Sequence, residues 1–271
     1  MSDTSLVGRA VIITGAGRGL GRSYARHLAR LGARVVVNDR DEDAHGVAGE
    51  IRATGGDALA VVGSVSDWDF AGELVARTVA EYGSVHGVVA NAGLYHVVPA
   101  QQETADQIRA SVESNLLGTL HIGVRAMRHM VRAGSGAIVT TTSSAALGLA
   151  GASTYSATKG AIMSLTYSWA IDLTGTGVRV NCVRPRALTR MSRVRGAPRP
   201  GARPPEEVAP LVAYLLDDRS AHLNGAVLGF DGVRLELVQR ARPVALPTPS
   251  GWSLDAIAET MAGAVASMPA S

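Results

Sequence analysis

The chain has 271 residues, a hydrophobic fraction of 46%, 18% charged residues and a formal net charge of +3, with a mean hydropathy of +0.15. That is enough apolar material for a sizeable core and too little charge for a disordered chain. No run of 18 apolar residues occurs, so no membrane span is expected, and a single cysteine, Cys182, cannot form an internal disulfide.

From the N-terminus, "MSDTSLVGRAVIITG" lacks a basic stretch leading into an apolar run, so no secretory signal is expected. With the lone cysteine this points to a reducing compartment, the cytoplasm. Residues 9–15 read as a strand, 19–31 as a helix and 34–39 as a second strand. A helix ending at Gly55-Gly56 follows, then a strand over 57–65, a helix over 67–82 and a strand over 85–93. Further along come a helix over 110–131, a strand over 136–144, a helix over 153–174 and strands over 178–183 and 226–232, with a helix near 205–217 between those two. The strands are continuous apolar runs, as in a sheet covered on both faces. Their alternation with helices predicts βαβ units. The fold class is therefore α/β: one doubly wound parallel sheet of about seven strands with helices on both faces. Residues 1–239 form the domain. The stretch 240–271 is a proline-rich connector followed by a helix capped by Ser253, with Leu254, Ile257, Met261, Ala264 and Val265 on one face.

The first strand runs into T14-G-A-G-R-G-L-G21. Glycines at 15, 19 and 21 let the backbone turn tightly and approach a pyrophosphate at a helix N-terminus. Leu20 breaks the G-x-G-x-x-G spacing and leaves G-x-x-x-G-x-G. Asp39 ends the second strand, where an acid accepts hydrogen bonds from adenosine ribose hydroxyls and repels a 2′-phosphate. NAD is thus favoured over NADP, although Arg18 and Arg40 lie close enough in sequence to accommodate a phosphate.

The chain carries 25 arginines and one lysine, Lys159, four residues after Tyr155. On a helix the two side chains share a face. A phenol of pKa about 10 needs a neighbouring cation to act as a base near neutrality, so the pair reads as a general acid/base. The seven histidines show no metal-ligand spacing, and no metal is expected. His96 reads as a solvated loop histidine or one facing a substrate. The arginines are dispersed except for Arg190, Arg193, Arg195, Arg199 and Arg203, which read either as a steering patch for an anionic substrate or as a solvated lid. Neither helix nor interleaved aromatics support nucleic-acid binding there.

Taken in order, T-G-x-x-x-G-x-G at 14–21, N-A-G at 91–93, N-x-x-G at 115–118, a strand ending in serine and Y-x-x-x-K at 155–159 resemble the short-chain dehydrogenase/reductase family over roughly residues 6–235. The resemblance implies a Rossmann-like sheet and an NAD(P)-dependent oxidoreductase that interconverts a secondary alcohol and its ketone. It implies Tyr155 as acid/base and Lys159 as the group that lowers its pKa and binds the nicotinamide ribose. Asn115 would hold a relay water or act as a helix-kinking amide. Ser143, or else Ser144, would bind the reacting oxygen. The implied cofactor-binding set is Gly15, Arg18, Gly19, Leu20, Gly21, Asp39, Ser64, Val65, Asn91, Ala92, Gly93, Tyr155, Lys159 and Pro185. Ser64 stands where the family places an acid facing adenine, and Arg186 where it places glycine, which leaves Thr189 or the local backbone to hold the carboxamide. Residues 185–191 and 224–237 are similar to bacterial relatives of the dehydrogenase module of multifunctional β-oxidation enzymes, which act on (3R)-hydroxyacyl-CoA. A homodimer or homotetramer is implied by the resemblance as well. Two other functions stay open on this scaffold: a non-redox isomerase, dehydratase or cyclase, and a non-catalytic NAD sensor.

Overall fold

A computed structural model of the chain describes residues 6–189, 191, 194, 203–248 and 251–266. The chain divides into two compact units, Met1–Val238 and Gln239–Ser271.

The first unit is built on one eight-stranded sheet. Its strands are β1 (Ala10–Thr14), β2 (Arg34–Asp39), β3 (Asp57–Val62), β4 (Gly87–Ala90), β5 (Gly136–Thr141), β6 (Val178–Pro185), β7 (Val227–Phe230) and β8 (Leu235–Leu237). The helices are α1 (Gly19–Arg30), α2 (Asp43–Ala53), α3 (Trp68–Tyr82), α4 (Ala105–Ser111), α5 (Gly118–Ala133), α6 (Ser153–Asp172) and α7 (Ala209–Leu216). Strand order is β3-β2-β1-β4-β5-β6-β7-β8. Every pairing is parallel except β7 with β8.

Successive strand residues point to opposite faces, and each face has its own core. Val11, Ile13, Val35 and Val37 pack under α1, α2 and α7 through Leu28, Ile51 and Leu215. Ile12, Val36 and Val88 pack under α3, α5 and α6 through Leu74, Ile122 and Trp169. A fully buried Leu or Ile contributes roughly 1.5–3 kcal/mol, so two covered faces explain why these strands read as unbroken apolar runs.

Three expectations shift. The sheet has an eighth strand: β8 is only three residues long, with Leu235 and Leu237 exposed at the sheet edge, too short to show a period. Strands β3, β4 and β5 end before residues 65, 93 and 144 because the chain turns off the sheet at their C-terminal ends. Residues 110–131 are not one α-helix; α4 leads through a π-helical turn at Val112–Leu117 into α5.

Chain direction away from β1 reverses between its neighbours β2 and β4. A crevice therefore opens past the C-terminal ends of β1 and β4, the place where open α/β sheets bind ligands.

In the second unit, α8 (Leu254–Ala266) starts where Ser253 Oγ accepts the Ala256 N–H at 3.1 Å. Leu254, Ile257 and Met261 are exposed on it. Among the described residues no helix is long and apolar enough to cross a membrane.

Candidate active site

The crevice is lined first by the glycine turn. Gly15 and Gly19 sit at φ of +62° and +56°, where side chains are strained. A Cβ on Gly21 would lie 2.2 Å from Gly15 O and 2.8 Å from Asn91 Nδ2, so only glycine lets α1 pack this close. Asn91 holds the turn from β4: its Nδ2 donates to Thr14 O at 3.0 Å and to Gly15 O at 3.1 Å. The Asn91 and Ala92 amides donate to Thr14 Oγ1, each at 3.1 Å.

Arg18, extended at the N-cap of α1, supplies no side-chain cap, and the first turn holds no acid. Among the described residues, a Cβ on Gly19 would meet nothing nearer than Thr189 Cγ2 at 3.9 Å. Free amides, the positive end of a helix dipole and open space above a glycine suit an anionic pyrophosphate. Asp39 is buried at the end of β2; its Oδ2 accepts Gly17 N–H at 2.9 Å and its Oδ1 accepts Asp41 N–H at 3.3 Å. Arg18 pairs with Asp41 at 3.0 Å, and Arg40 with Asp41 at 3.6 Å. Arg18 also faces Asp43 at 3.8 Å, so both guanidiniums that could meet a phosphate sit among surface carboxylates. Leu20 packs its side chain against the α1–α2–α7 core.

Ser64 is exposed just past β3, its Oγ accepting Ser66 N–H at 3.3 Å, whereas Val65 is buried. Pro185 ends β6. The departure at Arg186 has a structural use: its guanidinium reaches Glu236 at 3.0 Å, beside Arg184 on the same carboxylate. This ties the end of β6 to β8.

Tyr155 and Lys159 lie on one face of α6, with Lys159 Nζ 5.7 Å from the Tyr155 ring centroid. Both are buried, at 8% and 4% exposure. Lys159 Nζ donates to Thr141 O at 2.9 Å, its one hydrogen bond among the described residues. The remaining ammonium N–H directions suit a pair of ligand hydroxyls. Burial pushes this ammonium down to about 8. Burial also raises the Tyr155 hydroxyl, a hydrogen bond from Ser143 lowers it, and Tyr95 raises it. Ser143 is the serine that meets Tyr155; Ser144 is exposed and opens a 3₁₀ turn at 144–147.

Asn115 lies in the π-helical turn with its side chain fully engaged. Its Oδ1 accepts Leu94 N–H at 2.6 Å, and its Nδ2 donates to Leu94 O at 3.0 Å and to Thr158 Oγ1 at 3.2 Å. A Cβ on Gly93 would lie 2.9 Å from Asn115 Oδ1 and 3.6 Å from Lys159 Nζ. The 91–94 segment is therefore clamped between the glycine turn and α6, and the amide reads as a joint.

Residues without a sequence signal complete the wall. Tyr95 packs edge-on to Tyr155 with ring centroids 4.7 Å apart. Thr142 Oγ1 donates to Lys159 O at 2.7 Å. His96 is not simply solvated; it bonds Glu103 and Ser111. Arg190, Arg193, Arg195 and Arg199 lie outside the described residues. Arg203 pairs with Glu207 at 3.4 Å. Among the described residues no three His, Cys, Asp or Glu side chains gather to hold a metal.

The frame and its crevice define an NAD(P)-dependent dehydrogenase or reductase. A family model described as short chain dehydrogenase matches residues 9–197, and the chain belongs to that family. It is 38% identical over 237 residues to cis-4-hydroxycyclohexanecarboxylate dehydrogenase of Sinomonas cyclohexanicum, covering 83% of this chain and 95% of that protein. A crystal structure of a short chain dehydrogenase from Mycobacterium avium superposes with a TM-score of 0.90 at 31% identity, over 98% of this chain and 97% of that one. A gluconate 5-dehydrogenase from Burkholderia cenocepacia, in complex with NADP and tartrate, gives 0.79 at 29% identity over 85% and 96%. The chain is a hydride-transfer oxidoreductase.

Proposed function

We propose that the enzyme oxidises a secondary alcohol that also carries a carboxylate, using NAD and giving the ketone. The observation that carries this reading is the Ser143–Tyr155 hydroxyl pair, backed by the buried Lys159 ammonium. Two hydroxyls facing the crevice can bind one carbinol oxygen and stabilise the charge that develops on it. Tyr155 takes the carbinol proton as general base. Bound NAD supplies the hydride acceptor and a positive charge near the phenol. The amides of Gly19, Leu20 and Gly21 and the space over Gly19 would hold its pyrophosphate, Asp39 the adenosine ribose, and Lys159 the nicotinamide ribose. Gly15 and Asn91 to Gly93 would form the floor, Ser64 and Val65 would flank the adenine, and Pro185 with Thr189 would border the nicotinamide.

Lys159 supplies charge that the buried phenol needs. With burial raising the phenol, the ammonium and the cofactor cation together must offset that shift before Tyr155 can ionise near neutrality. The choice of NAD rests on Asp39, whose carboxylate repels a 2′-phosphate while Asp41 occupies Arg18 and Arg40. A carboxylate on the substrate is supported by the hydroxy acids named for two similar proteins, 4-hydroxycyclohexanecarboxylate and gluconate.

Tyr155→Phe tests the reading. Turnover with cis-4-hydroxycyclohexanecarboxylate should fall by about 10²–10⁴-fold while NAD affinity stays within about twofold, and NAD should raise the melting temperature more than NADP at equal concentration. Retained turnover would contradict the role of Tyr155, and a response to NADP alone would contradict that of Asp39.

A further inference from the structure

The helix that carries Tyr155 begins without a cap of its own. Ala152 stands at its N-cap and no acid lies in its first turn. The missing acceptor comes from about fifty residues upstream. Glu103, its side chain 6% exposed, places Oε2 where Ser153 Oγ donates at 2.6 Å and Thr154 Oγ1 at 2.9 Å, and the Thr154 backbone amide also reaches this carboxylate. A negative charge there complements the helix dipole. Those hydrogen bonds, from Ser153 first, hold the Glu103 carboxyl below its ordinary range.

The other oxygen is held too. His96 Nε2 lies 3.0 Å from Glu103 Oε1, and its Nδ1 lies 3.3 Å from Ser111 Oγ. Facing a carboxylate, Nε2 carries the proton, which leaves Nδ1 to accept from the Ser111 hydroxyl. Ser111 is fully buried at the end of α4. Among the described residues His96 is the one basic side chain that pairs with Glu103. The residue before His96 is Tyr95, whose ring packs on Tyr155, and Val98 N–H donates to Gly151 O at 2.9 Å. The circuit closes: the segment that presses on the Tyr155 ring also holds the acid that fixes the first turn of its helix.

We propose that Glu103 is a positioning residue for Tyr155, fixing the first turn of α6 from outside the helix, and that His96 fixes Glu103 in turn. The inference rests on the reading of Tyr155 as the acid/base. It goes beyond the tyrosine–lysine pair, because it places the precision of the phenol in a joint between the crevice wall and the start of α6.

The test labels the six tyrosines with ¹³Cζ and follows them by NMR across a pH titration, with Tyr155→Phe assigning the Tyr155 resonance. In Glu103→Ala that resonance should move and its midpoint should shift by at least about half a pH unit, because the first turn of α6, which carries the phenol, is released from Glu103. The resonances of Tyr24, Tyr82, Tyr167 and Tyr214, which lie away from the joint, should stay. Turnover should drop about tenfold with NAD affinity within about twofold. Glu103→Gln, which keeps the volume, should shift the resonance in the same direction. His96→Phe should reproduce part of the effect, His96→Gln, whose amide can still donate to Glu103, should restore it, and the double variant Glu103→Ala/His96→Phe should be no worse than Glu103→Ala. An unmoved Tyr155 resonance in a folded Glu103 variant overturns the inference, as does full additivity of the two losses. Retained turnover in Tyr155→Phe instead overturns the acid/base reading, whatever the resonance does, so the two failures are told apart.

Discussion

Lys159 is the residue on which the local electrostatics turn. Its ammonium is buried with one carbonyl partner, and burial lowers its pKa from 10.5 to about 8. Below pH 8 the lysine is charged in both folded and unfolded chains, so the folded state without cofactor bears the whole cost, on the order of 3 kcal/mol. As pH rises from 8 towards 10.5 the folded state gives up its proton first and the cost shrinks. Stability from this group therefore rises with pH across that window. Lys159→Met should stabilise the cofactor-free protein by about 1–2 kcal/mol at pH 7, after allowance for the Thr141 carbonyl left unpaired, and the gain should fade by pH 10. The same substitution should abolish turnover. Urea unfolding at the two pH values checks the first part; a variant less stable than the parent at pH 7 would contradict it. Arginine, the cation used at every other such position in this chain, would bring a larger planar fork into a space sized for an ammonium.

At the scale of elements, glycines separate by what surrounds them. Gly46 lies in α2 with no described atom within 4 Å of its Cβ position and no positive φ, so Gly46→Ala should stabilise the fold by roughly 0.5–1 kcal/mol. Gly21→Ala forces a methyl to 2.2 Å from Gly15 O and should destabilise by at least about 1–3 kcal/mol while weakening NAD binding. Thermal unfolding with and without NAD distinguishes the two; equal and small effects would contradict the packing argument. This contrast also marks what was legible in the sequence. Elements made by local pattern could be read: seven strands from their apolar runs, the glycine turn from its spacing, and Tyr155 with Lys159 from a lone lysine at helical distance. Elements made by distant contacts could not. The π-helical turn follows from Asn115 bonding Leu94 and Thr158, and β8 exists because β7 offers it an edge. Glu103 carries no signal of its own, since the helix end it serves lies about fifty residues away.

For the molecule as a whole, the sheet brings together residues from most of its length. The glycine turn follows β1, Asp39 ends β2, Asn91 to Gly93 follow β4, Ser143 follows β5, and α6 returns Tyr155 and Lys159 to the same crevice. Fold alone does not choose a reaction; the fate of the carbinol hydrogen does. The direct measurement uses cis-4-hydroxycyclohexanecarboxylate deuterated at the carbinol carbon, with NAD, and reads the mass of the reduced cofactor and of the product. The account predicts one deuterium in the NADH formed for each ketone produced, and loss of both in Tyr155→Phe. Substrate converted with its deuterium retained and no NADH formed would contradict it.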